Sequence, residues 1–196
     1  MVSTENIKAL RDKTGVSVMA CKRALEEADG DEAKALIILK KRSGEVAAKK
    51  ADRSLGAGTV ASYVHATGAV GAMVLLSTET DFVAKNEDFK SLARDIAMQV
   101  TATNPEFLRV EDITPEASAT ARAVFENEVR EQAGDKPEEM KEKILQGKID
   151  AYFRERILLE QPFIKAPEKT IRHLIDEATQ RFGERIDITT FSRVSL

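Results

Sequence analysis

The residue types that perform most enzyme chemistry are few in this chain and far apart. It contains two histidines, His65 and His173, and one cysteine, Cys21. We expect His65 in a strand, His173 on an exposed flank of a helix, and Cys21 as a small buried side chain among apolar neighbours. The sequence has no His and Cys spacing typical of a metal site, no Gly-x-Ser-x-Gly motif and no EF-hand loop. It therefore predicts a binding protein and not an enzyme, with no cofactor and no metal.

The stretch 78–86, Thr-Glu-Thr-Asp-Phe-Val-Ala-Lys-Asn, is the candidate functional site, because it joins an alternating apolar run to a helical pattern. That pattern is a stripe of apolar residues at steps of three and four: Phe89, Leu92, Ala93, Ile96, Ala97 and Val100. Phe82 is in phase with Phe89 but is cut off from the stripe. The residues one turn after it are Lys85 and Asn86, which a core accepts only with polar partners.

Two interpretations of this stretch remain open from the residues alone. In the first, Thr80 or Asp81 caps the following helix and Phe82 packs locally beneath the turn. In the second, Asp81 and Phe82 form an acidic and aromatic tip that is offered to a protein partner, because aromatic side chains dominate the energetics of interfaces.

Length and composition limit the class of protein. A chain of 196 residues allows a small domain beside a larger one. The 30 lysines and arginines nearly balance the 33 aspartates and glutamates, so the net charge of -3 does not favour a nucleic-acid binder. A single cysteine excludes an internal disulfide and fits a reducing compartment. No uncharged apolar run is long enough to span a membrane. We expect a cytoplasmic protein that contacts neither membrane nor nucleic acid directly.

The N-terminal part predicts a three-helix bundle. Capping residues begin the predicted helices and glycine turns end them, at about 3–15, 17–30 and 31–44. Such a small bundle is marginally stable unless it docks on something, and Met19, which lies off its main apolar face, is a candidate docking residue. Residues 45–58 are charged and Ala-rich and then Gly-rich, which indicates a linker. We therefore expect an N-terminal domain with its linker at 1–54 and a core domain at 55–196.

The remaining chain predicts an α+β domain, in which helices cover a small antiparallel sheet of three strands. The predicted elements are strands 59–65 and 69–78, a helix 89–104, a short extended piece at 107–113, helices 115–132, 137–146 and 148–159, a last helix 170–182 and a strand 185–194. The second strand has apolar residues on both faces, so we expect it at the centre of the sheet, covered on both sides.

Several motifs, taken together and in chain order, resemble one family. These are Ile-Lys-Ala-Leu-Arg-Asp-Lys-Thr-Gly at 7–15, Met-Ala-Cys-Lys-Arg-Ala-Leu at 19–25, Ala-Ala-Lys-Lys-Ala at 47–51, Glu-Thr-Asp-Phe-Val-Ala-Lys-Asn at 79–86, Leu-Glu-Gln-Pro-Phe-Ile-Lys at 159–165 and Phe-Gly-Glu-Arg-Ile at 182–186. They are similar to the signatures of elongation factor Ts, the bacterial guanine-nucleotide exchange factor for elongation factor Tu. The chain departs from the family pattern at 16–20 and at 187–190.

The resemblance implies a UBA-like N-terminal bundle, a core domain of the dimerisation type, and a function in translation elongation. In the family, the residues matching Asp81 and Phe82 disturb the Mg²⁺ and phosphate site of elongation factor Tu and so promote the release of GDP. The partner-binding residues implied for this chain are Thr80, Asp81, Phe82 and Val83 in the core and Arg11, Val18 and Met19 in the N-terminal domain. The chain looks like a short member that lacks the inserted second core half and the coiled-coil hairpin of longer members, and a homodimer is implied.

Two alternatives remain beside this one. The chain could be a structural adaptor that binds a helix or the ribosome without any effect on nucleotide. It could also be an RNA-associated protein that uses the basic residues between Lys40 and Lys50.

Overall fold

The computed structural model of the protein describes residues 2–134 and 136–196, and over these residues the fold is α+β, as predicted. In chain order its helices and strands are α1 (Thr4–Thr14), α2 (Val18–Glu27), α3 (Glu32–Lys49), β1 (Ala57–Val64), β2 (Val70–Thr78), α4 (Asp81–Ala84), α5 (Glu87–Thr103), α6 (Pro115–Ala133), α7 (Glu138–Arg154), β3 (Pro162–Phe163), β4 (Ala166–Thr170), α8 (Ile171–Phe182) and β5 (Ile186–Ser195). Within these two ranges, none of the helices has the length and apolar character that a bilayer span requires.

The three N-terminal helices begin at the predicted caps. The side chains of Ser3, Ser17 and Asp31 each accept a hydrogen bond from a backbone N–H in the first turn of the helix that follows. Gly15 ends α1 in the left-handed conformation, with a φ of 67°. The helices enclose a core of their own, made of Leu10, Val16, Cys21, Ala24, Leu25, Ala28, Ala35 and Leu39. The prediction that Cys21 is buried is confirmed.

Helix α3 is longer than predicted. It continues through Gly44 to Lys49, so the predicted end at residue 44 is wrong and the linker is correspondingly shorter. The residues after Gly44 are good helix formers, and α3 packs along α8. Gly44 itself faces α8, where a Cβ added to it would meet Oδ2 of Asp176 at 3.7 Å. Tertiary contact therefore keeps the helix intact across the glycine. The division of the chain at residue 54 stays a prediction.

Strand β2 is the centre of the main sheet, as predicted. The sheet has the order β1-β2-β5, and both pairings are antiparallel. The inner face of β2 buries Ala72, Val74 and Leu76 in a core shared with α5 and α8. On the outer face Met73 is exposed and Leu75 is half-buried. The prediction that β2 is covered on both faces is therefore wrong for this chain alone, because its helices pack on one face.

Helices α6 and α7 form an antiparallel hairpin. Ion pairs join the two helices, with Arg122 Nη2 at 2.9 Å from Glu142 Oε2 and Lys148 Nζ at 2.7 Å from Glu128 Oε1. The buried residues of the hairpin and its base are Ala121, Val129, Leu145, Ile149, Phe153 and Ile157. The resemblance implied only that the inserted second core half and the coiled-coil hairpin of longer members are missing, and that stays a prediction. The pairing of α6 with α7 could not be inferred from their sparse apolar stripes alone.

Helix α7 is continuous where two helices were predicted. It passes through Gly147, at which a break was expected. A glycine inside a helix costs only about 1 kcal/mol relative to alanine. Residues on both sides of Gly147, Leu145 and Ile149, are buried in the same hairpin core, so packing outweighs this cost.

Other differences lie where short-range signals are weak. The extended piece predicted at 107–113 is a single bridge between Phe107 and Ile157 followed by a 3₁₀ turn, and the hairpin of β3 and β4 was not predicted. His173 is half-buried and not on an exposed flank, because its Nδ1 accepts the backbone N–H of Thr170 at 3.1 Å at the start of α8.

A buried amide ties α5 to the segment around β3. Gln99 is fully buried; its Nε2 donates to Gln161 Oε1 and to the carbonyl of Pro162, both at 3.1 Å. Its Oε1 accepts the N–H of Ile164 at 2.9 Å. These bonds satisfy polar groups that the core would otherwise leave without partners.

We expect Gln99→Leu to destabilise the protein by about 1 to 3 kcal/mol, because the carbonyl of Pro162 and the N–H of Ile164 lose the buried amide that bonds them. Chemical denaturation followed by circular dichroism measures this. Gln132→Leu is the matched control, since Gln132 is exposed on α6 and should tolerate the same change. Equal stability of the two variants would contradict the role given to Gln99.

Candidate partner-binding site

The segment Thr80–Val83, called the tip below, leaves the end of β2 and begins the short helix α4. Its base is anchored, since Val83 and the next residue, Ala84, are buried in the main core. Phe82, between Asp81 and Val83, is instead 82% exposed. The structure therefore excludes the interpretation in which Phe82 packs beneath the turn. The burial of Val83 and Ala84 fixes the backbone of the tip, so the fold of the chain itself holds the ring of Phe82 in solvent.

The capping expected of Thr80 or Asp81 is different in the structure. Helix α5 is capped by Asn86, whose Oδ1 accepts the N–H of Asp88 at 2.9 Å. Thr80 does stand at the start of α4, but its side chain makes no capping hydrogen bond there. The helical stripe that begins at Phe89 is confirmed as the face that α5 buries.

Asp81 carries its charge in solvent. Its Oδ2 accepts a hydrogen bond from Lys85 Nζ at 2.5 Å, and both side chains are largely exposed. This hydrogen bond and the charge of Lys85 hold the pKa of Asp81 below its ordinary value. Exposed pairs of this kind contribute little to stability. The carboxylate is therefore free to exchange Lys85 for a positive group on a partner.

A second carboxylate fixes the start of the tip. Glu184, which follows α8, accepts hydrogen bonds from Thr78 Oγ1 at 2.8 Å, from the N–H of Thr80 at 3.0 Å and from Thr80 Oγ1 at 2.6 Å. Burial acts to raise the pKa of Glu184, but these hydrogen bonds outweigh it and lower the pKa. The side chain is thus ionised at neutral pH.

A third carboxylate joins the tip to the linker. Glu79 Oε1 accepts the backbone N–H of Arg185 at 2.6 Å and lies 3.2 Å from Nη1 of Arg53. Arg185 in turn donates from Nη1 to the carbonyl of Arg53 at 2.7 Å. The backbone hydrogen bond, with smaller contributions from Arg53, lowers the pKa of Glu79. Arg53 at the end of the linker, Glu79 just before the tip and Arg185 just before β5 therefore form one polar network.

The remaining predicted site residues lie on the bundle and not on the tip. Val18 and Met19 begin α2 and are 48% and 57% exposed, and Arg11 is exposed on α1. The chain therefore carries two separate candidate contact surfaces. Val83, which was predicted as a partner-binding residue of the tip, is buried. Its observed role is therefore to anchor the tip, and a direct contact with a partner stays a prediction.

The bundle is docked on the core, as its small size required. Besides the packing of α3 on α8, Lys50 Nζ donates to the carbonyl of Gly183 at 2.6 Å. Arg181 of α8 forms an ion pair with Asp88 and lies against Gly15, where an added Cβ would be 2.8 Å from its Cδ. These contacts fix the position of the bundle relative to the tip.

A carboxyl group with a raised pKa lies at this junction. Asp176 of α8 faces Gly44 of α3 in a groove of about 640 Å³ between the bundle and the core. Burial raises the pKa of Asp176 to about 6, although Arg172 opposes the shift. Among the described residues, no group of three or more His, Cys, Asp or Glu side chains is arranged to hold a metal ion.

Comparison with known proteins identifies the family. The model of the family described as Elongation factor TS matches residues 39–196. Elongation factor Ts of Carboxydothermus hydrogenoformans is 43% identical over 196 residues, which cover 100% of this chain and 89% of that protein. Elongation factor Ts of Oleidesulfovibrio alaskensis is 44% identical over 195 residues, covering 100% of this chain and 98% of that protein. This chain belongs to the elongation factor Ts family. The membership expected from the motifs is confirmed.

The family assignment also covers the bundle. The elongation factor Ts model begins inside α3, whereas the two relatives align with the chain from end to end and so include α1 and α2. As a member of this family, the chain is a translation elongation factor. Glu184 and Asp176 were not singled out from the sequence. Glu184 lies within a quoted motif, 182–186, but nothing local indicates that its partners are Thr78 and Thr80.

We expect Asp176→Asn to stabilise the protein at pH 7.5 by about 1 to 2 kcal/mol more than at pH 4, after allowance for solvent screening. A carboxyl group whose pKa is raised on folding favours the folded state at low pH, and this contribution is lost as the pH rises from about 4 to about 6. Urea denaturation at a series of pH values measures it. Asp150→Asn, at an exposed position of α7, is the control and should follow the wild type. A pH-independent effect of Asp176→Asn would contradict the assignment.

Proposed function

We propose that the chain is a guanine-nucleotide exchange factor that binds elongation factor Tu carrying GDP and promotes the release of GDP. The observation that carries the proposal is the ring of Phe82, which is 82% exposed on an anchored turn beside the charged Asp81. Membership of the elongation factor Ts family supports it. The proposed activity makes and breaks no covalent bond, so the chain acts by binding, in the cytoplasm where translation takes place.

The chemistry to be disturbed is the hold of a GTPase on its nucleotide. Such proteins grip GDP through a phosphate loop and a Mg²⁺ ion that neutralises the phosphates. In the proposed complex, Asp81 and Phe82 insert between helices of the GTPase domain and displace the groups that support the ion. An aromatic wedge is suited to this because it adds a rigid apolar volume where a packed interface has little free space.

The tip alone supplies too little free energy. Accelerating release ten-thousand-fold lowers the barrier by about 5.5 kcal/mol. Burying one phenylalanine side chain yields about 2 to 3 kcal/mol. We therefore assign a second contact to the N-terminal bundle, through Arg11, Val18 and Met19. Two contacts on one rigid frame add their binding energies, and the second keeps the tip in position while it distorts the nucleotide site.

Nucleotide and exchange factor must each weaken the binding of the other to the GTPase. If the tip weakens GDP binding by a given factor, GDP weakens binding of the tip by the same factor. A new nucleotide that enters the emptied GTPase therefore drives the exchange factor off. This reciprocity lets one molecule act on many copies of elongation factor Tu.

We expect Phe82→Ala to slow stimulated release by about tenfold or more, because it removes the wedge but leaves the buried anchors in place. The measurement is the rate at which fluorescently labelled GDP leaves elongation factor Tu in the presence of the variant. Val124→Ala is the control, since Val124 is an exposed apolar residue on α6. Circular dichroism should find the fold unchanged in both variants.

A release rate equal to that of the wild type would exclude the role given to Phe82. The same assay separates exchange from the adaptor alternative. A wild-type chain that binds elongation factor Tu and leaves GDP release unchanged would be an adaptor and not an exchange factor.

We further propose that two copies of the chain pair through the open face of the main sheet. This face carries Val60 and Val64 of β1, Met73 and Leu75 of β2 and Val194 of β5. Of these, Met73 is 55% exposed at the centre of the face. Ser62 and Ser192 flank Met73 on this face, so its apolar residues are interrupted by small polar ones. Exposed apolar side chains on a sheet face still favour a partner, and a second copy supplies an identical face.

We expect light scattering to give a mass of about twice the 21.6 kDa of the chain at micromolar concentration. Met73→Lys places a charge at the centre of the face and should shift the protein to the monomer. Met140→Lys, at an exposed position of α7, is the matched control and should leave the mass unchanged. A wild-type chain that stays monomeric at this concentration would contradict the pairing.

A further inference from the structure

The start of the tip is held by a side chain from the opposite end of the chain. Glu184 follows Gly183, which ends α8 in the left-handed conformation, and precedes β5. Because β2 pairs with β5 so that Thr78 is opposite Ile186, Glu184 lies beside the point where the chain leaves β2 for the tip. Both carboxylate oxygens are used, and all three donors belong to Thr78 and Thr80.

The hydroxyl of Thr80 is engaged by Glu184 and not by its own helix. Thr80 occupies the position before α4, with a φ of -127° and a ψ of 157°, where a threonine commonly accepts an N–H from the first turn. Here its hydroxyl donates to Glu184 Oε1 at 2.6 Å, and the side chain makes no capping bond. The position of α4 is therefore fixed from outside the helix.

A helix as short as α4 does not hold its own geometry. It spans four residues, Asp81–Ala84, and a single helical turn is unstable in isolation. Val83 and Ala84 fasten its end to the core. Glu184 fastens its beginning through charge-assisted hydrogen bonds, which are stronger than neutral ones. Phe82 lies between these two attachments.

We propose that Glu184 is a positioning residue for exchange, which holds the backbone at Thr80 so that Asp81 and Phe82 meet the partner in one orientation. This inference rests on the proposed exchange function. A wedge that must be ordered on binding loses part of its binding free energy to that ordering, whereas one that is already ordered does not. Glu184 thus acts through Phe82 without touching the partner.

The test is a double-mutant cycle on stimulated GDP release from elongation factor Tu. We expect Glu184→Ala to slow release about fivefold to tenfold in the wild-type background and less than twofold when Phe82 is already alanine. Glu184→Gln keeps one acceptor oxygen and should recover part of the rate. Glu160→Ala is the control, because that carboxylate has its hydrogen bonds with Arg172 instead, and it should stay within twofold of the wild type.

A second measurement does not depend on nucleotide exchange. In the free protein, Glu184→Ala should speed amide hydrogen exchange of Thr80, Ala84 and Lys85 about tenfold, because these are the N–H groups that are hydrogen-bonded at the two ends of α4. The amides in the centre of α5 should keep their wild-type protection. Thr80→Val removes one donor and leaves Glu184 in place, and it should give a smaller change in the same amides. This variant serves if Glu184→Ala does not fold.

The possible outcomes separate the two proposals. A wild-type chain that leaves GDP release unchanged overturns the proposed function, and faster amide hydrogen exchange confined to Thr80, Ala84 and Lys85 would then show only that Glu184 orders the tip in the free protein. If Glu184→Ala slows GDP release equally with and without Phe82, the positioning role is overturned while the proposed nucleotide-exchange function stands. The same holds if the amide hydrogen exchange of Thr80, Ala84 and Lys85 is unchanged.

Discussion

The antiparallel pairing of β2 with both of its neighbours is the constraint on which the arrangement of this protein depends. The inner residues of β2, with Val74 and Leu76 among the most deeply buried, pack on α5 and fix the register, because a slip by one residue would turn this apolar face outward. With the register fixed, the end of β2 at Thr78 lies opposite the start of β5 at Ile186. The tip therefore leaves the sheet at the point where α8 delivers the carboxylate of Glu184.

Helix α8 connects the two parts of the molecule. One side of it belongs to the main core, through Ile171 and Ile175, and another side packs on α3 of the bundle. The end of α8 carries Arg181, which lies against the turn between α1 and α2 at Gly15. A single helix thus determines where the bundle lies relative to the tip. Two separate contact surfaces on one frame fit the proposed exchange function, which requires a protein that distorts its partner.

Two of the exposed apolar surfaces differ in their physical character. Phe82 is a single exposed ring between the exposed Asp81 and the buried Val83, as expected for a side chain that enters a pocket of a partner. The outer face of the sheet, around Met73 and Val194, instead extends over all three strands, as expected for a face that pairs with another sheet. The outer face of the sheet stays open in the single chain, since the helices of the core pack on the other face of β2.

The sequence by itself determined the features that depend on residues close together in the chain. Caps such as Ser3 and Asp31 and the apolar stripe of α5 act within a few positions, so the helices that they define, the central strand and the family motifs could be predicted. Only the tertiary structure decided that α3 runs on past Gly44, that α7 does not break, and that the ring of Phe82 points outward. The hydrogen bonds from Thr80 to Glu184 join residues 104 positions apart. Their existence depends on strand pairing and helix packing, which local periodicity does not encode.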